Sequence, residues 1–518
     1  MKVVAPHQMA DLEQQAYRDG ASESDFMEEA GSGVGLVVHE FAERYGIERQ
    51  VILLCGKGNN AGDAYVAGVH LLHLDYHVHA YQLYPLNECS KLCRENAERF
   101  VRDGGLLTQV PYGDEISYPL DGIIVDGIFG TGFRGEVDEQ IGSRILEANA
   151  SGLPIISVDI PSGLDGETGL HGGVAILANE TAFLGLPKIG FFLRDGWNAV
   201  GKLRFVDFGL SGDYIEELFS EVEMLDDLQM MPLLPSIKRN RHKYEAGYVI
   251  GVAGSPEMPG AAILSSISAL RGGAGIMRLF HPEGMESLLS SSPYEVIKEP
   301  FGKSLEPILQ EMKRANSLFL GPGIGRKEPA KKMLKELLPQ ITIPCVIDAD
   351  ALNLAAELNL SFPARTVLTP HMGEMHRLLG IQQHLPLDLD FLRLCQNYVE
   401  DTRATLVLKG APTFIFHPGA PICVSPVGDP GMATAGTGDV LTGLIAALLA
   451  QGLTPHEAAC LGVYLHGLFL AAFDTHYPDP IHLGIFRKAF GHRYHSHNGK
   501  LFFRRYVIFA GPLDLSHY

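Results

Sequence analysis

Short β-branched runs that stop at glycine-rich loops, with helix-length stretches between them, recur along most of this 518-residue chain. That alternation is its strongest constraint. In the first part the runs are 50–55 (QVILLC), 77–83 (HVHAYQL), 122–126 (GIIVD) and 154–159 (PIISVD). Most are too apolar to keep one face wet, so they predict a parallel, doubly wound sheet covered by helices on both sides. The pattern resumes at 247–255 (GYVIGVAGS) and continues through 317–325 (SLFLGPGIG), 344–352 (PCVIDADAL), 365–374 (RTVLTPHMGE) and 404–413 (ATLVLKGAPT). A chain this long exceeds one ordinary core. The expectation is therefore two α/β domains, 1–210 and 236–473, with the acidic and then proline-punctuated stretch 211–235 as linker. The halves show no short-period repeat and do not look like copies of each other. Residues 474–518 are His-rich, basic and poorly periodic, a divergent tail to which the sequence assigns no function.

Charge and cysteine usage exclude some classes. Against 41 basic residues stand 61 acidic ones, a net charge of −20, which is the opposite of the basic face a nucleic-acid binder needs. Small anions are another matter, because loop N–H groups capture phosphate in an acidic protein too. The seven cysteines are scattered, odd in number and without zinc-site spacing. Cys89 and Cys93 share a helix face as small apolar residues. A reducing cytoplasm fits that usage. The N-terminus MKVVAPHQMADLEQQA lacks an apolar signal region, and no apolar run approaches bilayer length, so no membrane partner is expected.

In an open parallel sheet, ligands bind beyond the carboxyl ends of the strands. Three strand ends here carry unusual loops: GKGNNAGDAY at 56–65, GIFGTGFRGE at 127–136 and IPSGLDGETG at 160–169. The first satisfies G-x-G-x-x-A through Gly56, Gly58 and Ala61, which alone is a weak dinucleotide fingerprint. Asp75 precedes the next strand instead of ending it, so the usual ribose contact of a nicotinamide site is not expected. The amide oxygens of Asn59 and Asn60, the Asp126 carboxylate and the Ser162 hydroxyl would instead make a cluster of hard oxygen donors. Such a set suits an alkali or hard divalent cation. The plainer reading makes Asn59 and Asn60 turn residues and Asp126 a turn cap. It covers each residue alone, but not three loops converging on one crevice.

Residues 428–443 (GDPGMATAGTGDVLTG) lead into the apolar run LIAALLA. Small residues before a helix expose N–H groups at the positive end of its dipole, a place for phosphate around 435–438. Asp439 stands in that first turn. Its carboxylate would accept a proton from an attacking hydroxyl while the N–H groups steady charge on a transferred phosphoryl group. The plainer alternative is a helix N-cap. Lys409, at a strand end, is either a phosphate counter-charge or a surface lysine. His371 and His376 flank Glu374, but the spacing fits no zinc helix motif, and Glu374 is expected to cap the helix that follows. Asp348 and Asp350 end a strand at the same crevice and serve either a metal or only the turn.

On these residues the first half resembles the NAD(P)H-hydrate epimerase family over about residues 7–210. The match runs through HQMADLEQQAYRDGASESDFMEEAG, the GNNAGD loop, DGIFGTGFRG, VDIPSGLDGETG and LPKIG. The second half, about 236–470, resembles the nucleotide-dependent NAD(P)H-hydrate dehydratases. It does so through HKYEAGYVIGVAGSPEMPGAA, LGPGIG, VIDADAL, LTPHMGEMHRLLG, VLKGAPT and GDPGMATAGTGDVLTG. The fold implied is a Rossmann-like doubly wound sheet followed by a ribokinase-like α/β domain. In the first domain the resemblance implies that Asn59, Asn60, Ala61, Gly62 and Asp63 line the hydrated nucleotide, together with Gly130, Thr131, Gly132, Phe133, Arg134, Gly135 and Glu136. It also implies K⁺ on Asn60, Asp126 and Ser162, and Asp159 touching the substrate with Lys188 as catalytic partner. In the second domain it implies Ala262, Gly323, His371 and Asp439 at the hydrate, with Asp439 catalytic. Lys409, Gly410, Ala411, Pro412, Thr413 and Gly438 would then hold ADP or ATP, with Mg²⁺ arriving on the nucleotide.

The implied activity is repair of hydrated NADH and NADPH, by epimerisation at C6 and by dehydration of the S hydrate after its hydroxyl is phosphorylated. A cytoplasmic homo-oligomer is expected. The sequence departs from the family at Ala61 and Ala64, where NNGGDG is usual, and after His466 and Gly467, where LFLAAFDTHYPDP replaces an A-G-D-type stretch. Two rivals stay open at this point. One is a ribokinase-like kinase that releases a stable phosphate ester and carries a non-catalytic nucleotide-binding module. The other is a first domain that acts only as a scaffold.

Overall fold

The computed structural model describes residues 1–110 and 116–471; the 474–518 tail lies outside the described residues. Contacts divide the chain into two compact units, Met1–Met224 with Pro386–Leu389, and Leu225–Leu385 with the chain from Asp390 onward. The boundary falls inside the stretch read as a linker. That stretch is no bare tether: it forms the helix Gly212–Glu217, the strand Val222–Met224 and the helix Asp227–Met230.

The first unit is built on seven parallel strands. Gln50–Cys55 lies in the middle, flanked on one side by His77–Gln82 and then Leu106–Gln109. On the other side follow Ile123–Gly127, Ile155–Val158, Glu180–Leu184 and Lys202–Val206. The chain thus leaves the middle strand in one direction, returns, and continues in the other. A crevice opens where that reversal occurs, beyond Cys55 and Gly127. A Cβ on Gly56 would collide with the Ile128 carbonyl, so these two loops can touch only because position 56 is glycine.

Sequence explains the helices that cover this sheet. Ser22 caps Glu23–Tyr45 by accepting from the Asp25 N–H, acidic residues fill the first turn, and Gly46 ends the helix in the left-handed region. Asn59–His73 is buried along most of its length, which its run of Ala, Gly and Val permits. It shares a core with Val34, Val38, Leu53, Phe100 and Val125, each such side chain contributing about 1.5–3 kcal/mol on burial. Gly62 faces the neighbouring helix, where an added Cβ would meet the Met27 sulfur at 2.6 Å.

In the second unit Tyr248–Val252 is the middle strand. Ile276–Pro282 and Val296–Phe301 lie to one side of it. Ser317–Leu320, Cys345–Ile347, Thr366–Leu368 and Thr405–Leu408 lie to the other, all parallel. Two antiparallel strands, Phe414–Phe416 and Ile422–Val424, extend that side. The helix Thr437–Ala450 is buried from Val440 to its end. Its close partner is Pro259–Arg271, where Ser268 Oγ donates to the Val440 carbonyl at 2.5 Å and a Cβ on Gly443 would run into Ser265. Small residues on both helices let the backbones approach. The expected α/β class with parallel sheets holds in both units.

Candidate functional site

Burial and hydrogen bonding gather the first group of residues at the reversal point of the first unit. Asp126 ends the strand Ile123–Gly127 and is fully buried. Its carboxylate accepts from Ser157 Oγ (2.8 Å), the Ser162 N–H (2.8 Å), Ser162 Oγ (2.5 Å) and the Ile128 N–H (3.3 Å). Burial raises its pKa above the usual carboxylate value, and the four donors pull it back. Asn60, in the first turn of its helix, donates to the carbonyls of Phe129 (2.8 Å) and Val158 (3.1 Å). Around Asp126 and Asn60, then, stand a carboxylate, an amide, two hydroxyls and two carbonyls. All are hard donors, with no thiol or imidazole among these partners.

The remaining residues of the first group divide by position. Asn59 is exposed, bonded to Glu23 (3.1 Å) and Ser90 (2.9 Å). Ala61 is fully buried and packs in the core of this unit. Gly62 serves helix packing, as described above. Gly130 lies over Asn60, whose Cβ would be 3.3 Å from an added methyl. Thr131, Gly132, Phe133, Gly135 and Glu136 continue the loop, and Phe133 stacks on Phe129 at 5.0 Å. Arg134 donates to the carbonyls of Thr131 and Phe133 and lies 3.7 Å from both Asp165 and Glu167.

Asp159 ends the next strand with φ at +61°, a left-handed conformation that costs a non-glycine residue energy and is held here by bonds on both sides. Its N–H donates to the Ala182 carbonyl and its Oδ1 accepts from the Leu184 N–H. Lys188 Nζ donates to the same Oδ1 and, at 3.1 Å, to the Leu184 carbonyl; the lysine is fully buried. Two further carboxyls sense this pair. Burial and the Asp159 charge push Glu13 up to about 7, while Lys188 pulls it down. Asp63 is raised well above the usual carboxylate range by burial and then by Asp159 and Glu13. Three acids thus sense one another, and the Lys188 ammonium is bonded to Asp159.

In the second unit Lys409, just beyond its strand, donates to Asp348 Oδ1 at 2.7 Å, and Thr442 Oγ1 donates to Asp348 Oδ2 at 2.6 Å. Gly438 leaves room for that ammonium: a Cβ there would sit 3.3 Å from Lys409 Nζ. The helix begins at Thr437 after Gly436, whose φ is +94°. Asp439 in its first turn is pushed up to about 7, by burial first and then by Asp348, against the pull of Lys409. Such a carboxyl exchanges protons near neutral pH. His371 caps the helix Met372–Leu378: its Nδ1 accepts from Gly373 (3.0 Å) and Glu374 (3.3 Å), and Glu374 accepts from the His371 N–H (2.9 Å). Gly410, Ala411, Pro412 and Thr413 form the turn after Lys409, with Thr413 Oγ1 bonded to the Gly410 carbonyl.

Ala262 and Gly323 belong to the other wall. Gly323, at φ +63°, lies against Met258 and Ala261, and Ala262 is fully buried. Asp350 connects the two groups: it accepts from the Gly325 N–H at 2.9 Å and its charge raises Asp439. It also lines a cavity of about 940 Å³ beyond the ends of Tyr248–Val252 and its neighbours, with Lys303, Arg326, Lys327 and Lys332 in the wall.

With this geometry in place, comparison with known proteins is decisive. Residues 249–477 match the NAD(P)H-hydrate dehydratase family and residues 23–190 the YjeF-related protein N-terminus. The chain is 35% identical over 459 residues to the bifunctional NAD(P)H-hydrate repair enzyme of Moorella thermoacetica, covering 85% of this chain and 86% of that one. With the Thermofilum pendens enzyme it shares 33% over 490 residues, covering 90% and 91%. The chain belongs to the bifunctional NAD(P)H-hydrate repair enzymes. It is therefore both an epimerase and a dehydratase of hydrated NAD(P)H. A Bacillus subtilis structure, an ADP/ATP-dependent NAD(P)H-hydrate dehydratase crystallised with ATP and Mg²⁺, is 27% identical over 51% of this chain and 94% of that one, with a TM-score of 0.44.

Sequence reasoning missed two partners and one cavity in these sites. Glu13 sits in the helix Pro6–Arg18, where DLEQQ reads as an ordinary solvated face. Thr442 reads as one more small residue of an apolar helix. The cavity is built from five separate strand ends, and no single motif announces it.

Proposed function

We propose that the two groups of residues are the two active sites of hydrate repair. In the first, Asn60, Asp126 and Ser162 hold K⁺, a reading supported by an all-oxygen donor set with a single carboxylate charge. Such an ion would steady the phosphates and loops of the hydrated nucleotide at the helix start formed by Asn59 and Asn60. Asp159, kept beside Lys188, carries a proton to or from the hydrated ring as the configuration at C6 inverts. Glu13 and Asp63, both shifted upward, store protons beside it.

In the second site Asp439 is the base. The observation that carries this is a carboxyl poised at about 7 in a helix first turn, beside an ammonium already committed to Asp348. Asp439 takes the proton of the C6 hydroxyl as the terminal phosphoryl group of ADP or ATP is transferred to that oxygen. The C6–O bond then breaks, phosphate leaves with that oxygen, a proton leaves C5, and the C5=C6 double bond of NAD(P)H forms. Lys409 and the N–H groups about Gly438 balance phosphoryl charge, and the turn from Gly410 to Thr413 holds the nucleotide. With both Asp348 oxygens occupied, Mg²⁺ would be held mainly by the nucleotide's own phosphates, with Asp350 at hand. The cavity wall mixes Lys303, Arg326, Lys327 and Lys332 with Glu257, Glu336 and Asp350, and its cations would meet the phosphates of the dinucleotide.

The test is incubation with an R and S mixture of NADH hydrate, Mg²⁺, K⁺ and ADP or ATP, following the return of NADH absorbance. Complete, nucleotide-dependent recovery is expected, abolished by Asp439→Asn. Recovery that stops at the S fraction would remove the epimerase site, and a stable phosphate ester in place of NADH would remove the dehydratase chemistry.

A further inference from the structure

Away from both crevices, two cysteines and a histidine meet in the second unit. Cys423 lies on the strand Ile422–Val424. His456 and Cys460 lie four residues apart on the helix Pro455–Ala471, so they share one face of it. One ligand atom from each of the three falls within 4.8 Å of the others. Cys460 Sγ is 3.8 Å from His456 Nε2 and 4.0 Å from Nδ1. Both thiols are buried and His456 is half-buried, which leaves a way in from solvent on the imidazole side. His417, its Nδ1 bonded to Thr405 Oγ1 at 2.9 Å, packs against His456 with ring centroids 4.9 Å apart. Neither family motif nor catalytic group is part of this cluster.

We propose that Cys423, His456 and Cys460 form a binding site for a thiophilic d¹⁰ cation, Zn²⁺ in particular. Two thiolates and one imidazole make a Cys₂His set, with a fourth position open to water. Binding would release two protons to solvent, one from each thiol, and leave the site with no net charge. No electron transfer is involved. Each thiol must lose its proton to bind, so affinity should rise with pH. The consequence is mechanical. The ion would fasten the antiparallel strand Ile422–Val424 to a helix that packs on Thr437–Ala450, the helix that carries Asp439.

Co²⁺ added to the reduced full-length protein tests this, because a sulfur-to-cobalt absorption band reports thiolate ligation and histidines elsewhere cannot produce it. The expected result is one equivalent of Co²⁺ giving that band with tetrahedral d–d absorption, both lost on adding Zn²⁺. The band should vanish in Cys460→Ser and weaken in His456→Ala, a milder change at a half-buried position, and persist in Cys89→Ser. Circular dichroism establishes that each variant is folded. A folded wild-type protein without the sulfur band overturns the proposal, as does a band that survives in folded Cys460→Ser or Cys423→Ser.

Discussion

Both sites place a lysine on an aspartate at the end of a strand, and they use the pair in opposite ways. In the first unit the fully buried Lys188 binds the proposed reactive Asp159 itself, while the charge of Asp159 raises Glu13 and Asp63. In the second, Lys409 binds Asp348, a neighbour of the proposed base, and Thr442 takes the other carboxylate oxygen. Asp439 is left to titrate at about 7. Direct pairing fixes the geometry of the reactive carboxyl through Lys188 and the Leu184 N–H. Pairing next door leaves the base adjustable. The first arrangement orients its acid, and the second raises its acid toward neutral pH.

The largest effect should come from removing the adjustable acid. Asp439→Asn is expected to lower the dehydration rate by roughly 10²–10⁴-fold, the span of a lost general base, measured as kcat at saturating nucleotide. Its stability should move the other way. The folded pKa lies above the unfolded one, so the wild type loses stability as pH rises from about 4 to about 7, and the variant does not. The melting temperature of Asp439→Asn should exceed that of wild type at pH 8, with the gap closing in acid.

Breaking the pairs themselves comes next. Lys188→Met strands a buried carboxylate among two other acids and should cost about 3–5 kcal/mol in denaturant unfolding, along with epimerisation. Lys409→Met removes a charged hydrogen bond from a half-buried lysine, and about 1.5–3 kcal/mol is expected. Equal costs would erase the contrast between the sites. K⁺ should raise the unfolding temperature of the first unit, by an amount equivalent to about 2.7 kcal/mol at a hundred times its Kd, and Asp126→Asn should abolish that rise. The smallest effect is on the pH profile. Dehydratase kcat/KM should climb on an acid limb near pH 7, and Lys409→Met should move that limb upward, because the ammonium is what pulls Asp439 down.

How much of this was legible depended on burial. The runs at 50–55, 122–126 and 154–159 were readable because both faces of those strands are covered, and their loops pointed to the crevice. Leu106–Gln109 and Lys202–Val206 were not, since edge strands expose most of their residues and lose the apolar signal. Ile276–Pro282 follows a glycine-rich turn and carries Arg278 and His281, which mask a buried strand. Glycine roles were only partly readable: Gly56 permits a loop contact, but Gly62 answers to Met27. Partners distant in sequence, Glu13 with Asp159 or Cys423 with Cys460, leave no local spacing to detect.

The cap on Met372–Leu378 carries a consequence for His371. An imidazole nitrogen that accepts two N–H bonds cannot hold a hydrogen, so the ring is the Nε2–H tautomer, and burial with nearby Lys409 and Arg377 disfavours its second proton. Whatever reaches its outer edge meets a hydrogen-bond donor, never an acceptor. Acid strong enough to reverse this would do so by unfastening the start of the helix, which couples the polarity of that edge to local order.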